Sequence, residues 1–195
     1  MTTTAVPNTP IVPRDSTAAE AAGQAPARRT LAVLRIMLGF VFLWAFLDKA
    51  FGLGYSTAPA KAWISGGSPT SGFLGHVEAG PFRGLFTGLA GSAVVDVLFM
   101  LGMLAIGVAL ILGVGLRLSA AAGSVILVLM WAAEWPLASK TFDGQATGST
   151  NPFVDYHLVF AAALIALAIL AAGRTWGLGR AWQSTNLVAR MPWLK

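Results

Sequence analysis

Four long apolar runs, separated by polar and Gly-rich stretches, set the pattern of this chain. They are Leu31–Phe51, Ala93–Leu116, Leu118–Leu137 and Phe153–Ala172. None alternates apolar and polar residues with period two, so each reads as a helix rather than a strand. Each holds about the 20 residues that a helix needs to cross a hydrocarbon core of ~30 Å. Inside such a core only helices and closed barrels satisfy their own backbone groups. The expected fold is therefore all-α: a four-helix transmembrane bundle, with short interfacial helices in the first loop and the C-terminal tail.

The punctuation between the runs refines this. The second and third runs meet at G-V-G-L-R, Gly113–Arg117, a tight connection that makes their helices antiparallel neighbours. Asn151-Pro152 is expected to open the fourth helix, with Asn as cap and Pro at the first helical position, and Gly173-Arg174 to end it. The loop from Gly52 to Ser92 is too long for a plain connector. It carries A-K-A-W-I near Lys61 and F-R-G-L-F near Arg83, each read as a short helix folded over the mouth of the bundle. Residues 1–29 show no apolar periodicity and read as a disordered cytoplasmic tail. Residues 30–174 form the membrane domain. In 175–195, Trp176, Trp182 and Trp193 stand among basic residues as an interfacial anchor.

Composition agrees. The 195 residues are 56% hydrophobic and 11% charged, with mean hydropathy +0.70. A soluble domain averages about 25% charged. The net charge of +5 would point to nucleic acid in a soluble protein. Here the basic residues flank apolar runs, so the partner they imply is the anionic surface of a lipid bilayer and not nucleic acid. Of 13 Lys and Arg, only Lys49, Lys61, Arg83 and Lys140 fall on the side away from the termini. That bias places both termini in the cytoplasm of a multi-pass protein. The chain has no cysteine, so it offers no thiol nucleophile and no thiolate ligands for an iron–sulfur cluster. A bis-histidine haem would need His76 and His157 at one site, and His76 lies in the long Gly-rich loop, which argues against it.

The candidate chemistry is a ring of acids inside the apolar runs. Asp48 lies ~28 Å along from Arg29, Asp96 ~31 Å before Arg117, Glu134 ~26 Å after Arg117, and Asp155 ~28 Å before Arg174. All four therefore reach one depth, near the outer face. Ionisable groups at that depth usually face the interior of a bundle or water. The four are expected to converge on one outward-facing cavity, with Lys49 or Arg83 in reach of at least one and Arg83 as an anion contact. His157 follows Asp155 by two residues, about 200° around a helix, so the pair is not expected to touch. Arg35 is expected to reach lipid phosphate. No metal site is expected.

The motifs L-G-F-V-F-L-W-A-F-L-D-K, G-V-A-L-I-L-G-V-G-L-R-L, M-W-A-A-E-W-P and N-P-F-V-D-Y-H-L resemble the DoxX/DoxD family of small four-helix membrane proteins over residues 30–195. The resemblance implies a four-helix bundle in a bacterial or archaeal cell membrane. It also implies a role as membrane subunit of a thiosulfate:quinone oxidoreductase, with quinone as cofactor and other redox subunits as partners. Asp48, Lys49, Asp96, Glu134, Asp155 and His157 would line its polar site. Two other classes stay open on the same residues. One is a transporter of protons, cations or a small solute. The other is a scaffold that seats a larger complex through small-residue faces such as Gly102, Gly107 and Ala109.

Overall fold

The structure is a computed structural model that describes residues 14–194, with side chains from residue 23 onward. It is all-helical. The α-helices among the described residues are α1 (Arg14–Phe51), α2 (Ser71–Leu74), α3 (Arg83–Leu89), α4 (Ala93–Leu112), α5 (Leu116–Glu134), α6 (Tyr156–Ile169), α7 (Gly179–Gln183) and α8 (Asn186–Arg190). Short 3-10 turns at Pro59–Lys61 and Trp63–Ser65 accompany α2 and α3 in the first loop. Gly23–Phe51 within α1, with α4 and α5, is long and apolar enough to cross a membrane. The 14 residues of α6 are not, since they rise only about 21 Å.

Several boundaries differ from the sequence reading, among them the end of α6, at Ile169 rather than at Gly173-Arg174. Helix α1 begins at Arg14, so 14–29 is helical rather than disordered; 1–13 lies outside the described residues. The segment is rich in Ala, the best helix former, which carries a helix without an apolar stripe. Helix α6 begins at Tyr156 and not after Asn151. Asn151 instead closes a turn, its Oδ1 accepting the amides of Phe153 and Val154 at 3.0 and 3.1 Å.

The hairpin between α4 and α5 follows the sequence. Gly113 and Gly115 both take positive φ, and the Val114 amide reaches back to the Ala109 carbonyl at 3.0 Å. That left-handed exit closes α4 and turns the chain within three residues. Glycine also sets the helix spacing. A Cβ on Gly107 of α4 would lie 2.7 Å from the Leu43 amide of α1, and one on Gly39 of α1 would lie 2.9 Å from the Ile111 amide. The two backbones therefore touch, antiparallel. A Cβ on Gly102 would meet Ile126 of α5 at 3.0 Å. Gly102 and Gly107 are thus used in internal packing and are not an outward docking face.

One buried core joins the four long helices. It contains Leu38 and Phe42 of α1, Ile106 and Leu110 of α4, Leu127 of α5, and Leu164 and Leu167 of α6. Large apolar side chains such as Met37, Leu98, Val125 and Ile165 cover the outside. A protein in water avoids so continuous an apolar exterior, whereas bilayer hydrocarbon requires it.

Arg35 does not reach lipid. It is fully buried, and its guanidinium donates to the carbonyls of Leu110, Ile111 (2.9 Å), Thr175 (3.4 Å) and Trp176 (2.9 Å). The last carbonyls of α4 have no partner within their own helix. Arg35 supplies one and ties the C-terminal segment to the same spot.

Candidate functional site: a carboxylate–histidine cluster

The polar groups gather where α1 and α5 end and α4 and α6 begin. They do not form one ring. Asp48, 1% exposed, accepts from the Tyr55 amide at 3.2 Å, the Ser56 amide at 3.0 Å and the Ser56 hydroxyl at 2.6 Å. Asp96, 5% exposed, accepts from the Ser68 hydroxyl at 3.0 Å, the Thr70 amide at 3.0 Å and the Thr70 hydroxyl at 2.6 Å. Each carboxylate is taken up by the loop that follows or precedes its helix. The expectation of a shared cavity fails for these two. Depth along a helix does not fix azimuth, and the first loop folds inward to meet both.

Glu134, Asp155 and His157 do come together. Asp155 sits outside α6 with extended backbone (φ −118°, ψ −174°) and caps it. Its Oδ1 accepts from the amides of His157 and Leu158 at 3.0 and 3.2 Å. Its Oδ2 lies 2.7 Å from Nδ1 of His157. The 200° argument fails because it assumes both residues are helical. A capping side chain folds back over the first turn, onto the side chain two residues ahead. Since the carboxylate can only accept, the hydrogen-bond network assigns the Nδ1 proton to His157 as donor. Glu134, at the last turn of α5, places Oε2 3.8 Å from the same Nδ1 and accepts the Tyr156 hydroxyl on Oε1 at 3.2 Å. The Tyr156 and His157 rings lie 4.0 Å apart between centroids.

Burial grades across the cluster. The His157 side chain is 1% exposed, Asp155 16% and Glu134 39%. The open side is a cavity of about 400 Å³ lined by Glu134, Asp155, Tyr156, Glu78, His76 and the polar stretch 147–151. Its wall contains no lysine or arginine. Asp48 and Asp96 do not line it.

The expected cationic partners are elsewhere. Among the described residues no lysine or arginine lies within ion-pairing distance of a carboxylate. Arg83 stacks on the Phe142 ring, its guanidinium carbon 4.9 Å from the centroid, and pairs with none of the four acids. Lys49 points into a second cavity with Lys61, Ser56, Thr57 and Ser68, whose wall carries no carboxylate.

The cluster can hold and pass a proton through Glu134, His157 and Asp155. It also offers one ligand atom from each of these residues, all within 4.8 Å of one another. Sequence reasoning passed over Tyr156, Glu78 and the Lys61 cavity. Tyr156, between two residues already singled out, was the one signal available. Comparison with family models, with curated proteins and with solved structures finds no match for this chain.

Proposed function

We propose that this chain is a DoxX/DoxD-like membrane protein, built as a four-helix transmembrane bundle. Its role is the membrane subunit of a quinone-linked redox system, with thiosulfate oxidation as the leading case. The observation that carries the reading is His157, buried behind Asp155 and Glu134, which line a cavity without lysine or arginine. Joining two thiosulfate ions through a sulfur–sulfur bond releases two electrons. A quinone that takes them takes two protons as well. The cluster is the part of this chain suited to that proton traffic, because a His–carboxylate relay moves protons efficiently at neutral pH. The cavity itself repels a thiosulfate dianion. The Lys49–Lys61 cavity or a partner subunit is the place for the anion. To span the bilayer, α6 draws on the flanking residues from Phe153 and on the turn at Ala172–Arg174, or the bilayer thins around it.

A cation carrier is the second reading, favoured by the charge of the cavity. The core beyond it is apolar from Phe42 and Ile106 to Leu167, and Arg35 fills the far end. A hydrophilic path through the bundle is therefore not supported, and the redox reading stands first.

The test is reduction of a soluble quinone analogue by thiosulfate in membranes carrying the chain with any subunits that co-purify. Thiosulfate-dependent reduction, lowered by roughly 10²-fold or more in Glu134→Gln, is expected if proton transfer limits the rate. Absence of both quinone-analogue binding and thiosulfate-dependent reduction sinks the reading.

A further inference from the structure

We propose that Glu134, Asp155 and His157 form a binding site for a divalent metal ion. The proposal uses the same cluster but needs neither quinone nor thiosulfate, so it stands or falls separately from the redox reading.

Two observations carry it. The first is convergence: a nitrogen and two carboxylate oxygens from α5, from the cap of α6 and from its first turn lie within 4.8 Å of one another. The second is the state of His157. Its ring is buried, and Nδ1 is aimed into the cluster, at 2.7 Å from Asp155 and 3.8 Å from Glu134. Outside the cluster the ring has no polar contact at all, since Nε2 is buried without a partner. A buried imidazole normally satisfies both nitrogens. Here the polar capacity of the ring is spent on Asp155 alone, with Glu134 close by at 3.8 Å, or left empty.

Charge points the same way. The cavity wall adds Glu78 to the two acids and contributes no lysine or arginine. Carboxylates gathered without a counter-charge favour either protonation or a bound cation. One imidazole and two carboxylates are ligands that Zn²⁺ and Mn²⁺ accept. The cavity of about 400 Å³ leaves room for water to complete the coordination. The Tyr156 hydroxyl on Oε1 of Glu134 leaves Oε2 turned toward His157. Metal binding at Nδ1 takes the tautomer whose ring proton sits on Nε2, so a neutral imidazole gives up no net proton. Because Nε2 lacks the carboxylate or carbonyl that usually orients a ligating histidine, affinity should be about 10–100-fold below that of a fully supported site.

The experiment is calorimetric titration of the purified, chelator-stripped full chain in detergent with ZnCl₂ and with MnCl₂, in two buffers of different ionisation enthalpy. One ion per chain is expected, with the same heat in both buffers, as for a neutral imidazole and two ionised carboxylates. Glu134→Gln, Asp155→Asn and His157→Gln should each weaken binding at least tenfold. Asparagine still caps a helix, so Asp155→Asn separates loss of a ligand from loss of the fold. Glu134→Gln does the same at a half-exposed position. No binding by the wild type overturns the proposal. So does binding that survives both Glu134→Gln and Asp155→Asn, or that vanishes with His76→Ala while those two retain it.

Discussion

Asp48 and Asp96, on one side, and Glu134 with Asp155 and His157, on the other, sit at the same end of the same helices. Their surroundings differ in one respect. The first two each accept three hydrogen bonds from amides and hydroxyls of the neighbouring loop. The second group turns largely on itself, with a histidine nitrogen left over and a cavity beyond. The first arrangement holds a loop in place. The second is incomplete and open to a ligand. Burial alone does not separate them, because Asp48 and His157 are equally buried. What separates them is whether each polar atom already has its partners.

The contrast is broken most directly by emptying the sites that hold segments in place. Arg35, whose Nη1 and Nη2 meet the carbonyl ends of α4 and of the C-terminal segment while Nε has no partner, is the largest group that ties such segments together. Arg35→Ala leaves the Ile111, Thr175 and Trp176 carbonyls without this donor and opens a cavity in the core. It should cost on the order of 3–5 kcal/mol, from several buried acceptors at about 1–3 kcal/mol each. Thermal unfolding in detergent, followed by circular dichroism, reads the loss. Asp96→Ala comes next, at about 3 kcal/mol, because Ser68 and Thr70 lose a charged acceptor. Asp96→Asn keeps an acceptor oxygen and should lose about half as much. If Asp96→Ala melts like the wild type, the loop bonds do not hold the loop, and the distinction drawn above fails.

At Asp155 the two kinds of role meet. It caps α6 and also holds His157. Asp155→Ala should cost about 1 kcal/mol through the cap. Asp155→Asn should cost little stability while changing the charge of the cluster. A similar loss in both variants would mean that the His157 contact, and not the cap, carries the stability.

How much of this was legible in the sequence follows from particular residues. The places of α4 and α5, the Gly113–Gly115 turn and the four acids at one end all follow from apolar runs, glycine and helical rise. The identity of the α6 cap did not. Asn151 and Asp155 are both good caps, and Asn151 is followed by a proline that fits a first helical position. The chain uses Asn151 for a turn and Asp155 for the cap. That shift of four residues turns a pair on opposite faces into a pair at 2.7 Å. Arg35 was misread for a related reason. A long cation in an apolar run can reach lipid or a helix end, and only the packing of α4 and of Thr175–Trp176 against α1 chooses. Ser56, Ser68 and Thr70 were visible, but nothing local says which way a Gly-rich loop folds.

The smallest effect on stability, and the sharpest test of the comparison, is expected at Glu134. The side chain is 39% exposed, ends its helix, and accepts one long hydrogen bond from Tyr156. Its Oε2 lies 3.8 Å from His157, beyond hydrogen-bond distance, so Glu134→Gln should leave the stability within about 0.5 kcal/mol of wild type, as for ordinary surface changes. The amide keeps an acceptor for Tyr156 but cannot take a proton or bind a cation through charge. The same substitution should therefore lower proton-coupled turnover or metal affinity at least tenfold while unfolding is unchanged. Asp96→Asn should do the reverse, losing stability while the cluster in the folded fraction works as before. Measured side by side, the two variants separate an acid that builds the protein from one that leaves capacity for a ligand. Equal behaviour in both assays would show that the carboxylates at this end act as one unit, and the division into filled and open sites would have to be given up.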